Sequence, residues 1–313
     1  MIGERRHQRY FKRILRASSI VQSLSVADIQ RYVSGRSSDL CNGEPISPET
    51  IVKELATFRF VWNWAVERDH LKGPSPTKGV RLPKSADNPP FMTRGEIEQK
   101  IERGGLSEKQ IKRLWASLFL TKEETAEVLD HVRQNAARSF IYPMFVFTAH
   151  TGARRSEILR SRIDDFNLDK GVVGIREMKK RKNRKITFRH VDLTPLLTQI
   201  MRDWFDSHPG GQFTICDDPA EIPDGLEDDE LGMSPYKAQN HFDRVLIGSK
   251  WSKIRGFHVL RHSFASNLAA AGVDQRVIDE WMGHQTEEMR RRYRHLFPKQ
   301  RRSAIESVFG NGQ

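Results

Sequence analysis

Residues 258–293 read HVLRHSFASNLAAAGVDQRVIDEWMGHQTEEMRRRY, and this stretch contains the most informative motifs of the chain. The stretch begins with a His-x-x-Arg box, passes through a Gly-His pair and ends on a lone tyrosine in a basic run. Between these motifs the pattern predicts a helix, a turn at Gly272 and a second helix. Far upstream, residues 151–154 read TGAR and add one more arginine. The residue types together suit the binding of a phosphodiester and attack on it without a metal ion.

Five side chains are the candidates for that chemistry. Arg154 and Arg261 form the predicted phosphate clamp, because guanidinium is permanently charged and its planar fork of donors matches phosphate oxygens. His258 and His284 supply donors that can also move a proton near neutral pH. Tyr293 is the candidate nucleophile, and we expect the surrounding positive charge to favour its phenolate form.

This constellation resembles the tyrosine recombinase (phage integrase) family. The family's signature comprises an arginine in a T-G-x-R-x-S-E segment, a β-hairpin lysine, His-x-x-Arg, a histidine or tryptophan, and tyrosine. Here the segments TGARRSEIL, HVLRH, MGH and RRRYRHL stand in that order. The resemblance implies a site-specific recombinase or integrase that cuts DNA through a 3′-phosphotyrosyl bond and rejoins the strands, as in mobile elements. It also implies that neither ATP nor a divalent metal, nor any other cofactor, is required.

The family's lysine is expected where the first strand of a predicted hairpin enters its turn. The strand-like run GVVGIRE precedes MKKRKNRK, and ITFRHVDL follows as a second strand. Counting from Ile175 favours Lys179, with Lys180 as the alternative, because a shift of one residue turns a side chain to the other face of a strand. The expected role is general acid for the 5′-oxygen leaving group. Asp192 stands where the family often has proline, which leaves the register of the hairpin open.

Other interpretations of the same residues remain. Arg154 has a neighbour, Arg155, and either one is also compatible with a surface arginine. Glu157 is interpreted as a structural partner of an arginine. His258 and His262 have the i, i+4 spacing of a helical zinc pair, but no third ligand is evident.

Two other functions are also compatible with parts of the sequence. The predicted helix-turn-helix fits a DNA-binding regulator without chemistry. A type IB topoisomerase-like nicking and closing enzyme would use similar residues to the recombinase. The regulator leaves the arginines, the histidine box and the tyrosine unexplained, and recombination fits a chain of two domains better than topoisomerase activity.

Composition indicates a nucleic-acid partner independently of the motifs. The chain has 313 residues, a formal net charge of +12 and a sequence pI near 9.8, which favour a polyanion such as double-stranded DNA. It contains only two cysteines, Cys41 and Cys216, so a disulfide framework is not indicated. No apolar run is long enough to cross a bilayer and the N-terminus has no apolar signal core, so a cytoplasmic protein is expected.

The helical periodicity predicts a mostly α protein with a small β-sheet, of the α+β class. Residues 1–82 are interpreted as a helical core-DNA-binding domain, with about three helices where the resembled family usually has more. The third helix should begin with Ser47 as N-cap and Pro48 at its first position. Residues 83–120 are interpreted as a linker with bracing helices. Residues 121–313 are expected to form the catalytic domain, opened by a capping box at Thr121 and Glu124.

Two segments lead to further expectations. The acidic stretch 216–232 is expected to be a solvated loop that points away from DNA. The C-terminal tail places Ile305, Val308 and Phe309 on one helical face, which either packs on its own domain or docks on a neighbouring subunit. From the resemblance we expect specific core sites on the DNA, a homo-tetramer on DNA, and a monomer or dimer when the protein is free.

Overall fold

The computed structural model describes residues 2–41, 43–83, 88–178, 186–217, 232–283, 286–293 and 296. Most of these residues are helical and the strands are few and short, which confirms the predicted fold class. The chain divides into two compact units, Met1–Asp87 and Asn88–Gln313. Within the described residues, no helix is both long and apolar enough to span a membrane.

Three α-helices form the first unit. They are α1 (Ile2–Leu15), α2 (Val26–Ser37) and α3 (Pro48–Val66), with a two-stranded ribbon of β1 (Leu40–Cys41) and β2 (Glu44–Pro45) between the second and third. Ser47 caps α3 by accepting a hydrogen bond from the Thr50 amide, and Pro48 occupies the first turn, as predicted. The helices enclose a small apolar core that includes Tyr32 and Ile51.

Ten helices belong to the described part of the second unit. They are α4 (Arg94–Glu102), α5 (Glu108–Trp115), α6 (Lys122–Asn135), α7 (Ile141–Thr151), α8 (Arg155–Ile158), α9 (Pro195–Asp206), α10 (Pro235–Leu246), α11 (Phe257–Ala271), α12 (Gln275–Met282) and α13 (Glu287–Tyr293). Helix α7 is apolar on almost every side and packs against α6, α9 and α11, so it forms the centre of this unit. The capping box of Thr121 and Glu124 opens α6 as predicted.

A three-stranded antiparallel sheet flanks this helical core. Its strands, β3 (Phe166–Asn167), β4 (Val172–Met178) and β5 (Ile186–Asp192), lie in the order β3-β4-β5. Val172 pairs with Asp192 and Met178 pairs with Ile186, so the predicted hairpin is confirmed and its register is defined. The hairpin tip, residues 179–185, lies outside the described residues, and so do both candidate lysines, Lys179 and Lys180.

Candidate active site

The turn that follows α7 brings the first arginine into the site. Gly152 ends the helix with φ +61°, and a Cβ atom there would lie 2.7 Å from both Met282 Sδ and Phe264 Cδ1. Only glycine satisfies the backbone conformation and the close approach together. The turn is therefore packed tightly against α11 and α12 immediately before the chain reaches Arg154.

Arg154 is held at the start of α8 by Glu157. Its backbone N–H donates to Glu157 Oε2 at 2.8 Å and its Nη1 donates to Oε1 at 2.6 Å. The predicted structural role of Glu157 is thereby confirmed. Burial alone would raise the pKa of the Glu157 carboxyl, but hydrogen bonding and charge from Arg189, with the charge of Arg154, hold it below its ordinary value. The Arg154 side chain stays 38% exposed, so it can reach an external phosphate.

Arg261 enters the site from α11 and is almost fully buried, with 7% of the residue exposed. Its Nη1 donates to the carbonyl of Gly152, and its Nη2 donates to that of Met282 at 2.5 Å. Burial, followed by the positive charge of Arg154, lowers the pKa of the Arg261 guanidinium to about 9, which leaves it charged at neutral pH. The fold thus brings together two arginines that are far apart in the sequence.

The C-terminal end of α12 is the scaffold on which these arginines converge. The last carbonyls of a helix lack helical partners and carry partial negative charge. Here three guanidiniums cap three consecutive carbonyls: Arg189 Nε donates to Trp281 O at 2.7 Å, Arg261 Nη2 to Met282 O at 2.5 Å, and Arg154 Nη2 to Gly283 O at 3.2 Å. Arg189, on β5, is a site residue that the sequence interpretation missed. The next residue in the chain, the predicted His284, lies outside the described residues.

His258 lies in the first turn of α11 on the same helix as Arg261. Burial of its ring, followed by the charges of Arg261, Arg155 and Arg154, lowers the pKa of His258. The imidazole is therefore neutral at pH 7 and has a nitrogen available to accept a proton.

Tyr293 ends α13 in a buried position, with only 1% of the residue exposed. Its hydroxyl oxygen lies 3.4 Å from His262 Nδ1, and its ring stacks on Phe91 with centroids 4.8 Å apart. Burial raises the pKa of the Tyr293 phenol, although the charges of Arg261 and Arg292 act in the opposite direction. Nearby cations favour the phenolate as expected, but desolvation outweighs them in this conformation, so the pKa of the phenol is raised overall.

The segment at the start of the second unit holds the tyrosine helix in place. Asn88 Nδ2 donates to Glu288 Oε1 at 3.1 Å, Arg292 Nε donates to the Pro89 carbonyl at 3.0 Å, and the Phe91 amide donates to the Arg292 carbonyl at 3.4 Å. The Arg292 guanidinium also lies 3.7 Å from the Phe91 ring centroid. Neither His262 nor Phe91 was predicted to pack against the tyrosine, because nothing in the local sequence pattern links residues so far apart.

The alternative interpretations also have structural counterparts. Gly272 joins α11 to α12 as the predicted helix-turn-helix requires. The rings of His258 and His262 have centroids 6.2 Å apart. Within the part of the chain that the structure describes, no cluster of three His, Cys, Asp or Glu side chains is arranged to hold a metal ion, so the histidine pair lacks a third ligand there.

The buried histidine predicts how stability depends on pH. Burial, with the charges of Arg292, His258 and Arg261, lowers the pKa of His262 to about 3. In the unfolded chain its pKa is about 6.5, so the unfolded state binds more protons between these values and stability falls as the pH falls through this window. The stability that depends on neutral His262 is fully present above about pH 6.5. In His262→Gln the slope of the unfolding free energy against pH should decrease, by at most about 1.4 kcal/mol per pH unit.

Urea unfolding between pH 7 and 4.5 measures that slope. His190→Gln is the control, because His190 is exposed on β5. Parallel pH profiles for the wild-type protein and His262→Gln would contradict the prediction.

Comparison with known proteins identifies the family. The model of the phage integrase family matches residues 118–300, a range that contains every candidate site residue, and the chain belongs to this family. It is 26% identical over 190 residues to tyrosine recombinase XerA of Pyrococcus furiosus, covering 60% of each protein. It is 29% identical over 167 residues to the integrase of Salmonella phage P22, covering 52% of this chain and 42% of that protein. The chain thus spans less than two thirds of these two relatives.

A solved structure shows the same fold over most of the chain. The integrase of transposon Tn1549, in complex with circular intermediate DNA, superposes with a TM-score of 0.62 at 17% identity. The match covers 97% of this chain and 92% of that structure. The predicted family resemblance is confirmed, and the mostly helical architecture is that of this group of proteins.

Proposed function

We propose that the protein is a site-specific DNA recombinase that breaks and rejoins strands through a 3′-phosphotyrosyl intermediate. One observation carries the proposal: the guanidiniums of Arg154 and Arg261 converge on the end of α12, and Tyr293 is held beside His262, the residue that follows Arg261. The charge of Arg261 also acts on the Tyr293 phenol, which supports the assignment of the nucleophile and the clamp to one site. Solved relatives in complex with DNA support the same substrate.

In the proposed reaction the Tyr293 oxygen forms a bond to phosphorus and the bond from phosphorus to the 5′-oxygen breaks. Arg154 and Arg261 bind the non-bridging oxygens, where each well-placed donor typically contributes about 3 to 4 kcal/mol to the transition state. His258 accepts the phenolic proton, since its neutral form has a free nitrogen. Lys179 gives a proton to the leaving oxygen and His284 adds a donor; both assignments come from the resemblance.

The buried hydroxyl adds a requirement. With 1% exposure, Tyr293 cannot contact an external phosphate in the described conformation. We therefore include in the proposal that α13 shifts away from Phe91 and His262 when DNA occupies the site. Leaving this apolar environment would also lower the pKa of the phenol towards its ordinary value, since desolvation is the largest cause of its increase.

Covalent trapping on DNA tests the function. Duplexes from the DNA that flanks the gene, nicked close to the scissile phosphate so that the cleaved strand diffuses away, should yield an SDS-resistant protein–DNA adduct. Mass spectrometry should place the adduct on Tyr293. A DNA-binding regulator would retard the same duplexes on a native gel without an adduct. Strand exchange between two duplexes distinguishes a recombinase from a topoisomerase-like enzyme, which only nicks and closes.

The finer partner assignments belong to the same proposal. The DNA is expected to carry specific core sites, on which the protein assembles as a tetramer, whereas the free protein is a monomer or dimer. The apolar face of the tail at Ile305, Val308 and Phe309 lies outside the described residues, and its docking on a neighbouring subunit stays a prediction. A cytoplasmic location follows if the substrate is cellular DNA.

The chemistry predicts independence from metal and nucleotide. A phosphotyrosyl ester replaces a phosphodiester, so bond energy is conserved and no hydrolysis of ATP is needed. Adduct formation and strand exchange should proceed at unchanged rates in EDTA and without ATP, as measured in parallel reactions with and without Mg²⁺. Strand transfer that stops in EDTA and returns with Mg²⁺ would contradict the proposed site, in which protein side chains alone stabilise the phosphate.

A further inference from the structure

Arg189 is a third arginine of the site, and its guanidinium bonds to three neighbouring protein groups. It projects from β5 and only 6% of the residue is exposed. Its Nη2 donates to Glu157 Oε2 at 2.8 Å, its Nε to the Trp281 carbonyl at 2.7 Å, and its Nη1 to Glu177 Oε1 at 3.1 Å. All three guanidinium nitrogens are thus engaged within the protein, and the burial keeps the side chain from DNA.

Both supports of the proposed clamp depend on this side chain. Glu157 is shared, because one of its oxygens binds Arg189 and the other binds Nη1 of Arg154. The Trp281 carbonyl directly precedes the Met282 carbonyl, which accepts from Arg261. A shift of Arg189 would therefore move the anchor of each catalytic arginine at once.

Charge explains why an arginine is needed here. The guanidiniums of Arg154 and Arg189 both lower the pKa of Arg261, and Glu157 opposes them. Without the Glu157 carboxylate, the three guanidiniums of Arg154, Arg189 and Arg261 would repel one another. A planar fork can reach two carboxylates and a carbonyl at fixed angles, whereas a lysine ammonium is a single point charge.

We propose that Arg189 is a positioning residue that sets the geometry of the Arg154 and Arg261 clamp without touching the substrate. This inference rests on the proposed function, because it concerns the rate of strand cleavage. It assigns a role in catalysis to a buried residue of the sheet that lies outside the family motifs found in the sequence.

The experiment compares Arg189→Lys with the wild-type protein on two synthetic duplexes centred on a cleavage site mapped with the wild type. One duplex has an ordinary scissile phosphate. The other has a methylphosphonate, in which a methyl group replaces a non-bridging oxygen and the group is uncharged. Because the clamp stabilises phosphate charge, its loss should slow cleavage less on the duplex with the uncharged scissile group. Arg154→Ala serves as the reference for direct loss of a clamp arginine.

Arg189→Lys should cleave the ordinary duplex about a hundredfold more slowly, the size of effect expected for a small misplacement of catalytic groups. Its DNA affinity should stay within about twofold of wild type, since Arg189 makes no phosphate contact in the proposal. On the methylphosphonate duplex the cleavage rate of Arg189→Lys should differ much less from that of the wild type. The same should hold for Arg154→Ala. Arg189→Met should follow the same pattern if its thermal unfolding shows a folded protein.

Arg176→Lys is the matched control, because Arg176, on β4 of the same sheet, forms a partly buried pair with Asp165 at 2.7 Å and contacts neither catalytic arginine. It should cleave both duplexes at the wild-type rate. Equal loss on both duplexes by Arg189→Lys would show a merely structural role and overturn the proposal, and so would a parallel loss of DNA affinity. Failure of the wild-type protein to form any adduct would instead refute the proposed function itself.

Discussion

Replacing Tyr293 by phenylalanine is expected to abolish the covalent protein–DNA adduct. Phenylalanine keeps the ring that stacks on Phe91, and only the hydroxyl contact with His262 Nδ1 is lost. The fold should therefore survive, while the atom that bonds to phosphorus is missing. Removing the group that forms the covalent intermediate lowers catalysis by about a millionfold in a comparable nucleophilic enzyme. On a denaturing gel no adduct band should remain, and retardation of the same DNA on a native gel should be unchanged.

Tyr236→Phe is the matched control for this experiment. Tyr236 lies on α10 with 76% of the residue exposed, so its hydroxyl is not part of the site. This variant should form the adduct at the wild-type level. An adduct that persists in Tyr293→Phe, or that maps to another residue, would remove the basis of the enzyme assignment.

Truncation of either clamp arginine is the second large effect that we expect. Arg154→Ala removes a half-exposed guanidinium and should slow strand cleavage by about a hundred- to a thousandfold, the range for loss of one preorganised donor. Phosphate affinity comes from many basic groups, so binding to DNA should weaken far less. Single-turnover cleavage and a binding titration at the same salt concentration separate these two quantities.

Arg261→Ala should impair cleavage at least as severely and should also destabilise the protein. The substitution leaves the carbonyls of Gly152 and Met282 without their donor, and each unsatisfied buried group typically costs about 1 to 3 kcal/mol. Thermal unfolding should thus distinguish it from Arg154→Ala.

Arg155→Ala provides the control for both arginine variants. Arg155 adjoins Arg154 in the sequence, but its Nη1 donates to Gln239 Oε1 at 3.0 Å instead of joining the clamp. Near-normal cleavage is expected from this variant. If Arg155→Ala lost more cleavage activity than Arg154→Ala, the assignment of the clamp would be reversed.

The elements that the sequence predicted correctly are those governed by near neighbours in the chain. The N-cap of α3 at Ser47, the capping box that opens α6 at Thr121, and the pairing of Glu157 with an arginine, which the structure shows to be Arg154, all join residues three positions apart. Hydrogen bonds at such spacing leave a local signature in the sequence. The antiparallel hairpin of β4 and β5 was predictable for the same reason, since two apolar runs flank a polar turn.

The state of the nucleophile was not predictable in this way. Sequence identifies Tyr293 as a candidate through its order after the other motifs, but the stacking on Phe91 joins residues at opposite ends of the second unit. Whether burial or nearby cations controls the phenol pKa depends on distances in three dimensions. The expectation of a phenolate considered charge alone, whereas the packing also removes water and raises the pKa of the phenol overall.

Sequence by itself thus determined the family and the helical class and supplied the motif residues proposed for the candidate site, because each of these is recorded in local spacing and residue type. Tertiary structure alone decided that Arg154, Arg189 and Arg261 meet on three successive carbonyls at the C-terminal end of α12. It also decided that Tyr293 lies beneath Phe91. These contacts join segments far apart in the chain, and only close packing of helices and sheet sets the distances on which their electrostatics depend.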